Sequence, residues 1–183
     1  MTANDLAERV QTGETEFFAE IYEIFAQKIY SFIFYKTFHR ETAEDLTSQT
    51  FTKALEKINS FNPEKGSLNS WLYAIARNAV IDHFRTYKKM QNVDDIFDLE
   101  SPTDIPNEFD SREGFAEIRD ALQKISPQQR EIILLRVWDG MKFREIAEIL
   151  EKSEAAVKMD FARGIKNLKK EVVIMLLLFS INF

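Results

Sequence analysis

The chain has 183 residues, no cysteine, two histidines and a formal net charge of −6. That length buries one modest core or two small ones, and the composition is that of a folded protein, not a disordered tail. The missing cysteines, and the lack of a charged leader before an apolar segment, argue against secretion and disulfide stapling, so a cytoplasmic protein is expected.

The charge is unevenly spread. Residues 91–120 hold ten Asp or Glu against Arg112 and Arg119, a net of −8, while residues 36–90 and 121–171 each come to +3 and the first 35 residues to −4. An acidic total counts against nucleic-acid binding, but two weakly basic modules flanking an acidic connector are compatible with it.

In chain order, the first predicted helix covers 17–38, with Phe18, Ile21, Phe25, Ile29 and Phe32 recurring at three or four residues. Apolar residues off that stripe, among them Tyr22, Ile24 and Tyr35, imply a helix covered on more than one side, by its neighbours or by a partner. The second helix, 41–58, points Ala43, Leu46, Phe51, Ala54, Leu55 and Ile58 inward and Glu44, Asp45, Ser48, Gln49 and Thr52 outward. Residues 59–68 form a loop, marked by Asn-Pro and Lys-Gly, with Phe61 a lone aromatic among polar residues.

A helix from about Asn69 to Lys89 closes the first module. It buries Leu72, Ile75 and Ala79 and gathers Arg77, Asn78, Asp82 and Arg85 on another face, continuing to Lys88. Cations beside short polar groups suit phosphates and base edges. Aromatics near a mobile loop suit single-stranded DNA. Trp71 fits a core position as well as a stacking one, and Asp82 fits an ion pair with Arg85 or Arg77.

Residues 90–111 have Pro102, Pro106 and most of the acid without sustained periodicity, and read as a flexible acidic linker. A short helix runs from near Ser111 to Ile125. Ser126 then caps a helix over 127–140, with Pro127 at its first position and Gln129 reaching back to the cap. Asp139-Gly140 stops it. The next helix, 142–150, buries Phe143, Ile146, Ala147 and Leu150. Ser153 caps a long final helix whose inward residues are Val157, Phe161, Ile165 and Leu168.

A tight helical pair followed by such a helix is a helix-turn-helix arrangement, which reads the major groove. Lys158 and Arg163 suit phosphate or guanine, and Ala155 or Met159 a thymine methyl. Glu154 and Asp160 repel phosphate if they lie on that side. The apolar tail 172–183 is shorter than the roughly 20 residues of a spanning helix. It either packs back on its domain, offers a surface to another protein, or touches a membrane peripherally, without stable insertion. The expected fold is all-α: two small helical domains, 1–90 and 112–183, joined by the linker 91–111.

Four blocks together, 44–55 (EDLTSQTFTKAL), 71–85 (WLYAIARNAVIDHFR), 126–150 (SPQQREIILLRVWDGMKFREIAEIL) and 153–168 (SEAAVKMDFARGIKNL), resemble the extracytoplasmic-function group of bacterial sigma factors of the sigma-70 family. The resemblance covers about residues 17–171. It implies that Glu44, Asp45 and Gln49 dock onto core RNA polymerase, with Phe51 and Leu55 supporting that helix. It implies that Arg77, Asn78, Asp82, Arg85 and Lys88, with the loop carrying Phe61 and Asn62, recognise and open the −10 promoter element. Ser153, Ala155, Ala156, Lys158, Met159 and Arg163 then fall at −35 recognition positions, and the linker matches one that threads near the polymerase active-site and RNA-exit channels. Two departures stand out: Glu151 where the family commonly has glycine in the turn, and Met159-Asp160 where it has a serine-arginine-like pair.

The resemblance also implies core RNA polymerase, promoter DNA and an anti-sigma factor as partners. From the residues themselves, His39 and His83 are far apart in sequence, no carboxylates have catalytic spacing, and neither a metal site, a cofactor nor an enzymatic activity is expected. The alternative reading is a stand-alone helix-turn-helix DNA-binding transcriptional regulator, dimeric through the tail. An adaptor that binds polymerase without reading DNA is a third.

Overall fold

The computed structural model describes the backbone of residues 1–90 and 120–181 and the side chains of residues 1–87 and 120–169. The expected linker 91–111, the start of the helix expected from Ser111, the Lys88 side chain and the side chains of the tail lie outside these described residues. Among the described residues the regular structure is entirely helical. The chain divides into two compact units, Met1–Ile105 and Pro106–Phe183.

The first unit contains α1 (Ala3–Gln11), α2 (Phe17–Thr37), α3 (Arg40–Lys57, extended by a 3₁₀ turn over Ile58–Ser60) and α4 (Leu68–Met90). Helix α1 was not among the sequence expectations. It starts in a capping box: the Asp5 N–H donates to Thr2 Oγ1 at 3.2 Å, and the Thr2 N–H donates to Asp5 Oδ2 at 2.7 Å. The hydrogen bonds from Thr2 hold the Asp5 carboxyl below its ordinary range. Leu6, Ala7 and Val10 are buried. After the helix, the Arg9 guanidinium donates to Glu14 at 3.0 Å and lies 3.8 Å from the Phe17 ring centroid, tying α1 to the start of α2. That bond lowers the Glu14 pKa.

Helix α2 is packed by α1, α3 and α4, which accounts for most of its surplus apolar residues. Phe32 meets Tyr73 of α4 edge-on at 5.0 Å, and Tyr22 meets Phe51 of α3 at 4.8 Å. Tyr22 and Ile24 nevertheless stay 48% and 46% exposed. The helix ends at Phe38, left-handed at φ 50° yet buried. His39 Nδ1 then caps α3 by accepting from the Thr42 N–H at 3.2 Å.

In α3, Thr47 and Thr50 are buried because their hydroxyls return to the Ala43 and Leu46 carbonyls at 2.6 and 2.7 Å. Leu55, expected inward, is 44% exposed. It sits about 100° around the helix from buried Ala54, past the edge of the packed stripe.

The second unit contains a helical turn at 120–123, α5 (Pro127–Ile133) running into a π-helical segment (Leu134–Trp138), α6 (Phe143–Leu150) and α7 (Glu154–Ile181). Ser126 Oγ accepts from the Gln129 N–H at 3.3 Å, as expected of the cap. The Gln129 side chain does not reach back to it; its Oε1 accepts from Asn167 of α7 at 3.2 Å. Arg130 is buried and donates to the Leu122 and Gln123 carbonyls at 2.8 and 3.3 Å, where the turn before α5 leaves its last carbonyls exposed to a donor. Burial pushes its pKa down to about 10, so it remains a cation at neutral pH. Gly140, at φ 65°, breaks the helix, and Arg136 spans the turn to the Met141 carbonyl at 2.7 Å.

Helix α7 packs on α5 and α6. Val157 is buried as expected, but Phe161, Ile165 and Leu168 are only half-buried, and Phe143 likewise. The contact centres on Gly164: a Cβ there would lie 2.8 Å from Ile133 Cδ1 and 3.1 Å from Gln129 Cβ. Close backbone approach at this glycine leaves the larger residues at the rim, where Phe161 meets Phe143 edge-on at 5.3 Å. The tail continues α7 as helix to Ile181. Among the described residues no helix is long and apolar enough to cross a membrane.

Candidate nucleic-acid interface

In the first unit, the loop between the 3₁₀ turn and α4 is shaped by its own residues. The Lys65 N–H donates to the Asn62 carbonyl at 3.0 Å and the Glu64 N–H to Asn62 Oδ1 at 2.8 Å, a tight turn with Asn and Pro at its first two positions. Ser67 caps α4, its Oγ accepting from the Ser70 N–H at 3.2 Å. Phe61 is not the stranded aromatic expected: it is 5% exposed and tilts against half-buried Trp71 at 5.6 Å. Burying it anchors one end of the loop and leaves Asn62, Pro63, Glu64 and Lys65 as the outer turn.

Two residues of α1, missed in the sequence, hold that loop. Gln11 Nε2 donates to the carbonyls of Ile58 and Phe61 at 2.7 and 2.8 Å. Asn4 Oδ1 accepts from the Leu68 N–H at 2.9 Å. No local spacing announces such bonds, since the partners are 47 to 64 residues away.

On α4, Arg77, Asn78, Asp82 and Arg85 fall within about 140° of helical arc. Asn78, Asp82 and Arg85 are exposed and Arg77 is half-buried. Arg85 pairs with Asp82 at 3.1 Å, so the carboxylate orients one cation of the face. On α3, Glu44, Asp45 and Gln49 are exposed together: Arg40 pairs with Glu44 at 2.9 Å and Gln49 donates to Asp45 at 2.7 Å. Further along that helix, Leu55 joins Phe18 and Tyr22 in lining a shallow apolar groove.

In the second unit, Ser153 Oγ accepts from the Ala156 N–H at 3.2 Å and starts α7. Ala155, Met159, Ala162 and Arg163 form an exposed stripe flanked by Lys158, while Ala156 is half-buried. Lys158 pairs with Glu154 at 2.6 Å. Asp160 is turned away from the stripe: only 19% exposed, it faces Arg163 at 3.7 Å and Lys152 at 3.8 Å and accepts from Gln128 of α5. Its charge is thus answered within the unit. Exposed i,i+4 pairs such as Glu154–Lys158 are worth about 0.3–0.5 kcal/mol, so Lys158 can be shared with a phosphate at little cost.

The two units therefore each present a cationic, hydrogen-bonding helical face. Among the described residues no group of three His, Cys, Asp or Glu is placed to hold a metal.

Comparison with known proteins bears on both faces. The family described as Sigma-70 region 2 matches residues 21–90, and that described as Sigma-70, region 4 matches residues 115–168. The chain is 35% identical over 172 residues to the ECF RNA polymerase sigma factor BldN of Streptomyces coelicolor, a match spanning 91% of this chain and 64% of that one. It is 34% identical over 158 residues to the RNA polymerase sigma factor YlaC of Bacillus subtilis, with 84% and 90% covered. In fold it is similar to the sigma factor RpoE solved with the anti-sigma factor NepR from Bartonella quintana, with a TM-score of 0.75, 24% identity, and 86% and 97% of the two chains covered.

Proposed function

The chain belongs to the extracytoplasmic-function group of the sigma-70 family, and we propose on that premise that it binds core RNA polymerase and directs it to promoters with paired −35 and −10 elements. The protein is not an enzyme; phosphoryl transfer belongs to the polymerase. In this reading the first unit is the region 2 domain. Glu44, Asp45 and Gln49 of α3 dock on the polymerase, and the loop from Phe61 together with Arg77, Asn78, Asp82, Arg85 and Lys88 engages the melted −10 strand. Phe61 serves by anchoring the loop and Asn62 by reaching from its outer turn. Helices α6 and α7 are the helix-turn-helix of a region 4 domain, in which Ser153, Ala155, Ala156, Lys158, Met159 and Arg163 meet the −35 element. The acidic segment 91–111 joins the two, and the protein works in the cytoplasm.

One observation carries the reading: two separate units of one acidic chain each present a small cationic face, α4 behind the loop and the start of α7. Neither face neutralises enough phosphates to bind free DNA strongly. Held together on one large partner, each raises the effective concentration of the other at its element. An anti-sigma factor covering these faces, as NepR partners RpoE, is the regulator proposed.

The test is run-off transcription with purified core polymerase and a library of upstream fragments, alongside mobility-shift titrations with and without core. Transcripts starting a fixed distance downstream of shared paired elements, and tight promoter binding only with core, are expected. Equally tight binding by the isolated protein, with no added transcripts, refutes it.

A further inference from the structure

We infer that Asn4 and Gln11 of α1 are positioning residues for −10 recognition, gripping the recognition loop from its two ends without touching DNA. This rests on the proposed role of that loop. Both residues lie before the segment matched by the region 2 family, residues 21–90. Gln11 donates its two amide protons to the carbonyls of Ile58 and Phe61, at 2.7 and 2.8 Å, where the 3₁₀ turn passes into the loop. At the far end, Asn4 accepts from the first N–H of α4, that of Leu68, at 2.9 Å.

An N–H at a helix start and carbonyls at a helix end have no partner within the helix and need one from outside. Here both come from a single rigid element seven residues long between its two contacts. Helix α1 is itself fixed by the Thr2–Asp5 capping box and by Leu6, Ala7 and Val10 in the core. Phe61 and Leu68, the residues so held, are 5% and 0% exposed, and the outer turn at Asn62–Lys65 hangs between them. A loop that must accept an unstacked base gains specificity when its ends do not move, since the geometry need not be re-ordered at each encounter.

The chemistry selects the variants. Gln11→Glu keeps the shape but removes both donors and sets a carboxylate against two carbonyls. Asn4→Leu removes the acceptor, whereas Asn4→Asp keeps it. Each is assembled into holoenzyme and assayed on a promoter fragment recovered by the run-off screen, and on the same fragment with its −10 bases replaced one at a time. The readout is the ratio of open-complex rates, native over replaced base, with core affinity measured in parallel. Asn62→Ala, in the outer turn, tests the role of the loop itself.

The expected result is a loss of base discrimination of about tenfold in Gln11→Glu and Asn4→Leu, the scale of one unsatisfied buried hydrogen-bonding group, with core affinity unchanged and Asn4→Asp close to the native protein. If Asn62→Ala alters discrimination while Gln11→Glu and Asn4→Leu do not, the grip is refuted and the role of the loop stands. If Asn62→Ala is also silent, both fall. Loss of core affinity in step with discrimination, or Asn4→Asp as poor as Asn4→Leu, also overturns the inference, because general destabilisation then explains the effect.

Discussion

Replacing Glu151 by glycine should stabilise the second unit. Glu151 ends α6 at φ 53° and ψ 44°, is exposed, and makes no ion pair or side-chain hydrogen bond. A left-handed L-residue costs roughly 1–2 kcal/mol, and glycine removes that cost. The more flexible unfolded chain returns about 0.4–1 kcal/mol of it. The net gain is about 0.5–1 kcal/mol, or roughly 3–6 °C in the melting temperature of a unit this size. The assay is urea unfolding of the full chain in a Trp71→Phe background, where Trp138 is the only tryptophan left and reports the second unit. Asparagine should fall between glycine and glutamate, and valine should lie about 1 kcal/mol below glutamate, since β-branched residues tolerate this conformation worst. Phe38 provides the opposite case at φ 50°: its ring is 7% exposed. Phe38→Gly should therefore lose about 2–4 kcal/mol despite the same backbone relief. A glycine variant no more stable than the native protein, or valine equal to glutamate, refutes the strain argument.

Gly164→Leu should destabilise the second unit by more than about 2 kcal/mol by forcing α7 off α5, because the Gln129 Cβ that it meets cannot rotate away; thermal melts followed by circular dichroism would show otherwise if α7 simply slides. In holoenzyme, Lys158→Ala should weaken promoter binding across all −35 variants and lower the salt slope by about one, as for a phosphate contact, whereas a change confined to one base position in filter-binding titrations would mark it as a base reader. Asp5 and Glu14 have depressed folded-state pKa values, so their contribution to α1 is complete above their unfolded values and is lost as pH falls through the folded ones. Exchange of the Leu68 amide should consequently accelerate below about pH 4. Unchanged protection at pH 3 would show that α1 holds the loop without its cap.

Much of this molecule was legible because periodicity reports burial along a helix. The inward residues of α2 and the outward row on α3 lie where the spacing puts them, and Ser126 and Ser153 cap the helices they precede. What stayed hidden depends on neighbours that spacing does not name. Leu55 and Ala54 differ by one position, and only the packed partners decide which is covered. Gly164 reads as a weak helix residue until α5 is seen against it. Phe61 looked stranded because Trp71, which covers it, and Gln11, which bonds its carbonyl, lie on other elements. Helix α1 carried a faint signal, Thr2 and Asp5 three apart before Leu6, Ala7 and Val10, in a stretch short enough to be passed over. The DNA-facing positions came from motif resemblance more than from charge, and Asp160, read as a liability on that face, is spoken for by Lys152, Arg163 and Gln128.

The π-helical segment Leu134–Trp138 has one further consequence. Such a segment accommodates an extra residue in its turn without disturbing the helix before it. Removing one residue there would restore ordinary winding but swing everything beyond it by about 100° around the helix axis. The Arg136 bond to Met141 and the break at Gly140 would then point α6 in a different direction. Chain length is thus a set quantity at this point, a phase adjustment between two helices. A single-codon deletion in this stretch should do more damage than most substitutions of the residues it contains.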